Sequence, residues 1–376
     1  MNFSFTSMKH CFPQAIFRRI ESTAMVYLKK LLVPGMVGIM FLLSGMAAVP
    51  LAYAGVPYAG GDVFAGVGNG NVSQFSPTGT LKNTLATTSP SLEETGMCFD
   101  SSGDLFVTNF EAGTMSKFDS SGNLIAADWY TFPGSPESCV LNNSGDIFVG
   151  GGGLSKIYEF SDSGTSGTLL NSWSVNTGPR GSDWIDLAAD QCTMEYTSEG
   201  DTIFQFNVCT GTQLADFVTG LPASPCYANR IIPSSGGEVL VACSSKVLLL
   251  SSTGTVIQTY SIPSESSFLF ALNLDPDGTS FWTAGYASGN IYRIDIASGT
   301  VLTTFNAPHA FSVAGLAIFA EPVVGCPSCT TTTSSTVGVP QFGAGPNPTL
   351  LLSVMAFLGV VVLFRLRRGP VQRPVV

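Results

Sequence analysis

A four-strand unit repeats along this chain and limits the folds open to it. Residues 96–125 hold one complete copy, in which short apolar segments alternate with turns that read Ser-Gly-Asp or Ser-Gly-Asn. The related segments GDVFAG, GDLFVT and GDIFVG begin at Gly61, Gly103 and Gly145, two successive steps of 42 residues. Six such copies of about 40–45 residues predict an all-β fold, a six-bladed β-propeller of four-stranded blades.

The innermost strands of the predicted blades indicate how the ring closes. They are expected at 96–100, 138–142, 186–190, 229–233, 271–275 and 315–319. The first copy has no such strand before it, and the last strand has no copy after it. We therefore predict that 315–319 completes the first blade, which removes the exposed sheet edges.

The segment GMCFDSSGDLFVTN followed by MSKFDSSGNLI resembles the NHL-type and gluconolactonase/regucalcin-like six-bladed propellers, and also the virginiamycin B lyase-like group. The resemblance extends over residues 60–322 and lies mostly in strand and turn residues, so it is more specific for architecture than for function. Gluconolactonase-like members hold a divalent cation that activates water against a lactone. The resemblance therefore implies a cofactor such as Ca²⁺ or Mg²⁺.

The first 54 residues are predicted to be a leader and secretory signal peptide. Lys29 and Lys30 precede an apolar run, and Ala52-Tyr53-Ala54 forms a small-x-small cleavage site after Ala54. Met25 is an alternative start, and an uncleaved membrane anchor is the alternative to cleavage. The propeller is then expected to occupy 55–322.

The C-terminal region is predicted to be a stalk followed by an anchor. Residues 323–348 contain a Cys-x-x-Cys and a Ser/Thr-rich tract, 349–364 form an apolar transmembrane or sorting helix, and 365–376 form a basic cytoplasmic tail. Pro340, Gln341 and Phe342 resemble the motif of PEF-CTERM and PEP-CTERM tails, which implies a sortase-type processing enzyme as partner. Gln341 stands where Glu is usual, so a plain membrane anchor is the alternative.

Charge separates the ends of the chain from its middle. Between 55 and 345 there are seven Lys/Arg and 25 Asp/Glu, so the predicted ectodomain carries about −18. Such a surface would repel phosphates, which excludes nucleic acid as a partner.

Eight of the nine cysteines follow the leader, an even number that suits an oxidising compartment. Symmetry about the predicted turns indicates cross-strand disulfides Cys192–Cys209 and Cys226–Cys243. Cys98 and Cys139, at matching places on adjacent inner strands, form a third predicted pair. Cys326 and Cys329 are predicted to form a local disulfide, with redox chemistry or half a zinc site as alternatives.

Polar candidates cluster where the outer strand of one blade leads to the inner strand of the next. A ring around the channel is expected from Glu94, Glu137, Asp183, Asp186, Glu265 and His309, with Arg180, Arg230 and Asn273 nearby. The catalytic candidates are Glu94, Glu137, Asp183 and His309, and the metal-ligand candidates are Glu94, Glu137, Asp183, Asn229 and Asn273. The alternative is that these loop residues are merely solvated.

Aromatic residues offer a different kind of contact. Those able to stack on a sugar or peptide are Trp129, Trp173, Trp184, Trp282, Tyr196 and Tyr227, although three of the tryptophans are expected to pack between blades. A virginiamycin lyase-like activity would need a catalytic histidine, and His309 is the only histidine after the leader. It has no matching partner in sequence.

Two functions follow from these patterns. The first is an exported, surface-anchored monomeric propeller that acts as a binding or structural envelope protein for a protein or glycan partner. The second is a metal-dependent extracytoplasmic hydrolase or lyase of lactone-like substrates.

Overall fold

In the computed structural model, which describes residues 55–322, the chain forms 24 β-strands in six four-stranded antiparallel sheets. The predicted leader, stalk, Cys326–Cys329 pair, sorting motif and C-terminal helix lie outside the described residues. Within 55–322 no helix has the length and apolar character needed to cross a bilayer.

The sheets are the predicted blades. The strands of the first three copies are β1 (Val63–Gly68), β2 (Asn71–Phe75), β3 (Leu81–Ala86), β4 (Glu94–Phe99), β5 (Leu105–Asn109), β6 (Thr114–Phe118), β7 (Leu124–Thr131), β8 (Pro136–Leu141), β9 (Ile147–Gly151), β10 (Leu154–Asp162) and β11 (Gly167–Ser174). Those of the last three are β12 (Ile185–Leu187), β13 (Thr193–Tyr196), β14 (Phe204–Asn207), β15 (Thr212–Gln213), β16 (Cys226–Ile231), β17 (Val239–Cys243), β18 (Lys246–Leu250), β19 (Val256–Ser261), β20 (Leu269–Leu274), β21 (Ser280–Gly285), β22 (Asn290–Asp295), β23 (Val301–Asn306) and β24 (Gly315–Ile318).

The predicted closure of the ring is confirmed. Strand β24 pairs antiparallel with β1, with Val63 opposite Ile318 and Gly66 opposite Gly315, so blade 1 takes its inner strand from the end of the propeller. Blades 2 to 6 then follow in chain order, each beginning with its inner strand. The inner strands begin up to three residues earlier than predicted, because their first residues already pair with the neighbouring strand.

Turn chemistry explains why the repeat folds in this way. In the Ser-Gly-Asp turn after β4, Asp100 Oδ1 accepts hydrogen bonds from Ser102 N–H (2.8 Å) and Asp104 N–H (2.9 Å). Gly103 has φ +82°, a left-handed conformation that favours glycine. The turn after β8 repeats the arrangement, with Asn142 in the place of Asp100 and with Gly145 at φ +88°. The motif that marks the repeat is thus the motif that reverses the chain.

The core lies between the blades. Its apolar clusters each join neighbouring sheets, and they include the fully buried Phe64, Phe106, Phe160 and Phe281. Trp129, Trp184 and Trp282 are buried as well, so three of the four tryptophans pack in the interior as predicted.

Three of the predicted disulfides are confirmed. Cys98–Cys139 joins the inner strands of blades 2 and 3, whereas Cys192–Cys209 and Cys226–Cys243 each link neighbouring strands within one blade. Disulfides are typical of oxidising compartments, and each restricts the unfolded chain.

Candidate functional site at the mouth of the channel

The six inner strands follow one another around a central channel, each in contact with the next. Their N-terminal ends meet at one end of the channel, which we call the mouth. Their C-terminal ends meet at the other end, which we call the base. Glu94 begins β4 and Glu137 is the second residue of β8, whereas Asp183 lies two residues before β12. These three acids therefore belong to the mouth.

Three carboxylates come together at the mouth. Ligand atoms of Glu137, Asp183 and Glu199 lie within 4.8 Å of one another. The Arg180 guanidinium contacts all three: Nη2 lies 3.1 Å from Glu137 Oε2, Nε 3.6 Å from Asp183 Oδ1, and Nη1 3.6 Å from Glu199 Oε1. Only the first of these distances is that of a hydrogen bond. We call these four residues the acidic cluster.

Local packing holds the acidic cluster in place. The Ser198 hydroxyl donates to the Arg180 carbonyl (2.6 Å), and the Arg180 N–H donates to the Ser198 carbonyl (3.2 Å), so the turn that carries Glu199 is tied to the Arg180 loop. A Cβ on Gly152 would lie 1.8 Å from Glu137 Oε2 and 2.8 Å from Arg180 Nη2. Glycine at position 152 therefore leaves room for the ion pair.

Burial and mutual repulsion set the protonation of these acids. Burial raises the pKa of Asp183 well above its usual range, and the charge of Glu137 raises it further. Burial also raises the pKa of Glu137, against the opposing effects of Asp183 and Arg180. The two buried carboxyl groups therefore resist being charged at the same time.

Glu93 and Glu94 have separate partners at the mouth. Glu94 is fully buried and accepts a hydrogen bond from Gly70 N–H (3.0 Å), and burial raises its pKa to about 7. Glu93 Oε1 accepts hydrogen bonds from the Tyr286 and Ser312 hydroxyls. The Glu93 charge adds to burial in raising the pKa of Glu137 and Glu199, so it acts on the acidic cluster.

An aromatic wall lies at the mouth beside blades 5 and 6. Phe268 stacks between Tyr227 and Tyr286, with ring centroids 4.8 and 4.6 Å apart, and Phe270 packs against all three. Tyr227, Phe268 and Tyr286 remain half-buried. Of the aromatic candidates from sequence, Tyr227 is the one that the structure places in this wall.

The ring of polar residues expected from the sequence is divided between the two ends of the channel. Asp186, Arg230 and Asn273 lie toward the base, where Glu321 joins them. Arg230 Nη1 lies 3.2 Å from Asp186 Oδ1 and its Nε 3.1 Å from Glu321 Oε1. The Asn273 amide donates to Glu321 Oε2 (3.0 Å). We call these four residues the base network.

The remaining candidates stand apart from the acidic cluster. Glu265 accepts hydrogen bonds from the Ser288 and Tyr292 hydroxyls and so fastens its loop to blade 6. His309 packs against Gly289, and its Nδ1 is buried with no hydrogen-bond partner among the described residues. The Asn229 side chain is fully buried, and neither of its amide atoms has a partner within 55–322.

Three residues that contribute to these sites were missed from the sequence. Glu93 precedes a predicted strand, Glu199 lies in a hairpin turn and Glu321 follows the last strand, so none lies at the repeat position that marked the other candidates. The only signal in the sequence for Glu199 was that it is an acidic residue in a turn on the mouth side.

The structure brings two of the five metal-ligand candidates together. Glu137 and Asp183 belong to the acidic cluster, whereas Glu94 accepts a hydrogen bond from Gly70 N–H and the Asn273 amide donates one to Glu321. The Arg180 guanidinium already contacts the three gathered carboxylates. A further cation bound here would therefore share these carboxylates with the arginine.

Comparison with known proteins supports the fold alone. No family model matches this chain, and no curated protein matches it. Among solved structures, a chain of a nidogen/laminin complex matches at TM-score 0.54 and 15% identity, covering 68% of this chain and 97% of that one. A protein of unknown function from Bacteroides caccae matches at TM-score 0.53 and 14% identity, covering 69% and 98%.

A streptogramin B lyase structure overlaps more loosely, at TM-score 0.46 and 15% identity, covering 62% of this chain and 78% of the other. The chain is a six-bladed β-propeller, a fold that supports many different functions.

Proposed function

We propose that this protein is an exported, surface-anchored propeller that binds a protein or glycan partner at the mouth of its channel. The observation that carries the proposal is the composition of the mouth, where a half-buried aromatic wall adjoins three carboxylates that share one arginine. Binding sites typically combine apolar walls with a few polar groups in this way.

Export and anchoring rest on separate support. The three disulfides suit an oxidising compartment, and the sequence of both ends predicts a signal peptide and a C-terminal anchor or sorting tail. On this proposal the propeller is a monomer held outside the cell. Labelling intact cells with a membrane-impermeant amine reagent should modify the propeller, and protection from the reagent would contradict its surface location.

Two exposed apolar side chains provide a matched test of binding at the mouth. Phe311 lies on the mouth side and is 56% exposed, whereas Leu302 lies on an outer strand and is 50% exposed. We expect residues 55–322, which form the complete ring without the predicted anchor, to cosediment with purified cell envelopes of the protein's source. Phe311→Ser should weaken that binding about tenfold, while Leu302→Ser leaves it unchanged. Equal binding by both variants would reject the mouth as the site.

A metal-dependent lactone hydrolase or lyase is the second candidate, and the three gathered carboxylates favour it. A specific metal would raise the melting temperature in a saturable way after treatment with EDTA, and Asp183→Asn should abolish the rise. Calcium, magnesium, manganese and zinc are to be tested in turn. If none of them shifts the melting temperature, the metal-dependent reading is rejected.

A further inference from the structure

The acidic and aromatic sides of the mouth form one continuous surface. On one side, Glu93 accepts a hydrogen bond from the hydroxyl of Tyr286, which belongs to the aromatic wall. On the other, the Thr197 hydroxyl, two residues before Glu199, donates to the Tyr227 carbonyl. The Glu199 charge also adds to burial in raising the pKa of Tyr227. A ligand at the mouth would therefore contact both sides together.

Apolar surface at the mouth extends beyond the aromatic wall. Leu92 is 46% exposed and Phe311 is 56% exposed. Both lie next to Gly68, because a Cβ added to Gly68 would be 2.8 Å from the Leu92 carbonyl and 3.5 Å from the Phe311 ring. Glu93 and Ser312, which follow them in sequence, are joined by a hydrogen bond of 2.9 Å. This apolar pair thus adjoins the acidic side.

The acidic side is incompletely compensated. Asp183 is 1% exposed, and among the described residues neither of its carboxylate oxygens has a hydrogen-bond partner, although Oδ1 lies 3.6 Å from Arg180 Nε. Arg180 makes a single hydrogen bond within the cluster, and its ring contact with Phe110 (5.3 Å) lies outside it. A buried polar group without a partner calls for an explanation, and a ligand that completes its contacts is one.

From these contacts we infer that the mouth binds an organic cation joined to an apolar or aromatic group, as presented by an arginine or lysine side chain of a partner protein. The inference rests on the proposed function and names the partner's chemistry. The carboxylates would accept hydrogen bonds from the ammonium or guanidinium, and the apolar part would cover the aromatic wall. Arg180 shows that a guanidinium fits among these acids. A neutral glycan would leave their charge uncompensated.

Three small molecules of nearly equal shape test the inference. Benzamidine is a cation, benzamide is neutral and benzoate is an anion. Saturation-transfer NMR with the full-length protein should show benzamidine binding about tenfold more tightly than benzamide, and benzoate not at all. Binding of benzamidine should weaken as salt is added, because charge attraction is screened.

Two substitutions distinguish the mouth from the general acidity of the surface. Glu199→Gln removes a half-exposed carboxylate of the acidic cluster and should weaken benzamidine binding about fivefold, whereas Glu238→Gln, in the turn between β16 and β17 on the base side, should leave it unchanged. Unfolding curves of both variants will confirm that they are folded.

The outcomes separate this inference from the proposed function. Equal binding of benzamidine and benzamide, or no loss in Glu199→Gln, overturns the inference. If neutral oligosaccharides then bind, and Phe311→Ser reduces that binding, the mouth is still a binding site but its partner is a glycan. If Phe311→Ser leaves envelope binding intact, the proposed function itself fails.

Discussion

Both ends of the channel contain carboxylates next to an arginine, but the two ends differ in how many of the carboxylate oxygens have partners. At the base, all four carboxylate oxygens of Asp186 and Glu321 have partners, which include Arg230, Asn273 and the backbone N–H groups of Ile231 and Leu274. At the mouth, three carboxylates share one guanidinium, and within residues 55–322 neither oxygen of Asp183 has a hydrogen bond.

The location of the base network explains why its carboxylates are paired. Asp186 belongs to blade 4, Arg230 to blade 5 and Asn273 to blade 6, while Glu321 follows β24 of blade 1. These contacts therefore connect the strand that closes the ring to the three blades before it. Burial still raises the pKa of Asp186 and Glu321, although Arg230 opposes the effect. The base network thus joins the closing strand to its neighbours, and the mouth is the end at which we propose binding.

The largest effect is expected at the base. Arg230 is 11% exposed and pairs with two buried carboxylates, so Arg230→Met would leave both charges without their cation. Breaking such a pair typically destabilises a protein by about 3–5 kcal/mol. Urea unfolding under non-reducing conditions, with tryptophan fluorescence as the signal, measures the loss. If Arg230→Met loses less stability than Arg180→Met, the matched variant at the mouth, the proposed difference between the two ends is contradicted.

The next effect depends on pH and concerns Glu94. Its pKa is near 4.5 in the unfolded chain and about 7 in the fold, because burial outweighs the hydrogen bonds from the backbone of Asn71 and Gly70. The folded state thus holds the proton more tightly, and its stability falls as pH rises from 4.5 to 7. The shift corresponds to at most about 3.4 kcal/mol.

Glu94→Gln cannot ionise and should lack that part of the pH dependence. The measurement is the free energy of unfolding of both proteins from pH 4.5 to 8, compared as a difference so that a constant offset cancels. Glu195→Gln is the control, because burial also raises the pKa of Glu195 to about 7 at a site outside the mouth. A constant difference between wild type and Glu94→Gln would mean that Glu94 does not titrate in this range.

Much of the fold could be predicted because its signals are local. The Ser-Gly-Asp turns specify where the chain reverses, their spacing gives the number of blades, and a missing first inner strand implies closure by the last. Two disulfides followed from the same reasoning, since cross-strand partners are symmetric about a turn, and Cys98–Cys139 followed from matching places on adjacent inner strands.

The site was harder to predict, because it depends on contacts between blades. Arg180 and Glu137 are 43 residues apart, and nothing in either segment indicates that they pair. The repeat predicted both Asp183 and Asp186 for the same ring of polar residues. They are three residues apart in the chain, yet Asp183 lies at the mouth and Asp186 in the base network. The end of the channel at which a side chain lies depends on the register of neighbouring strands, and the register cannot be read from the sequence.

The smallest effect is expected from Arg180→Met at the mouth. Arg180 is 34% exposed and two of its three ionic contacts are 3.6 Å long, so its loss should cost less than about 2 kcal/mol at neutral pH. Its removal raises the pKa of Glu137 and Asp183 further, because the charge that favoured their ionised forms is gone. The loss should therefore shrink as pH falls and these carboxyls gain protons. Urea unfolding at pH 5 and pH 8 measures it. A loss that is equal at both values would show that Arg180 acts through packing on Phe110, and the mouth would then be a structural closure like the base.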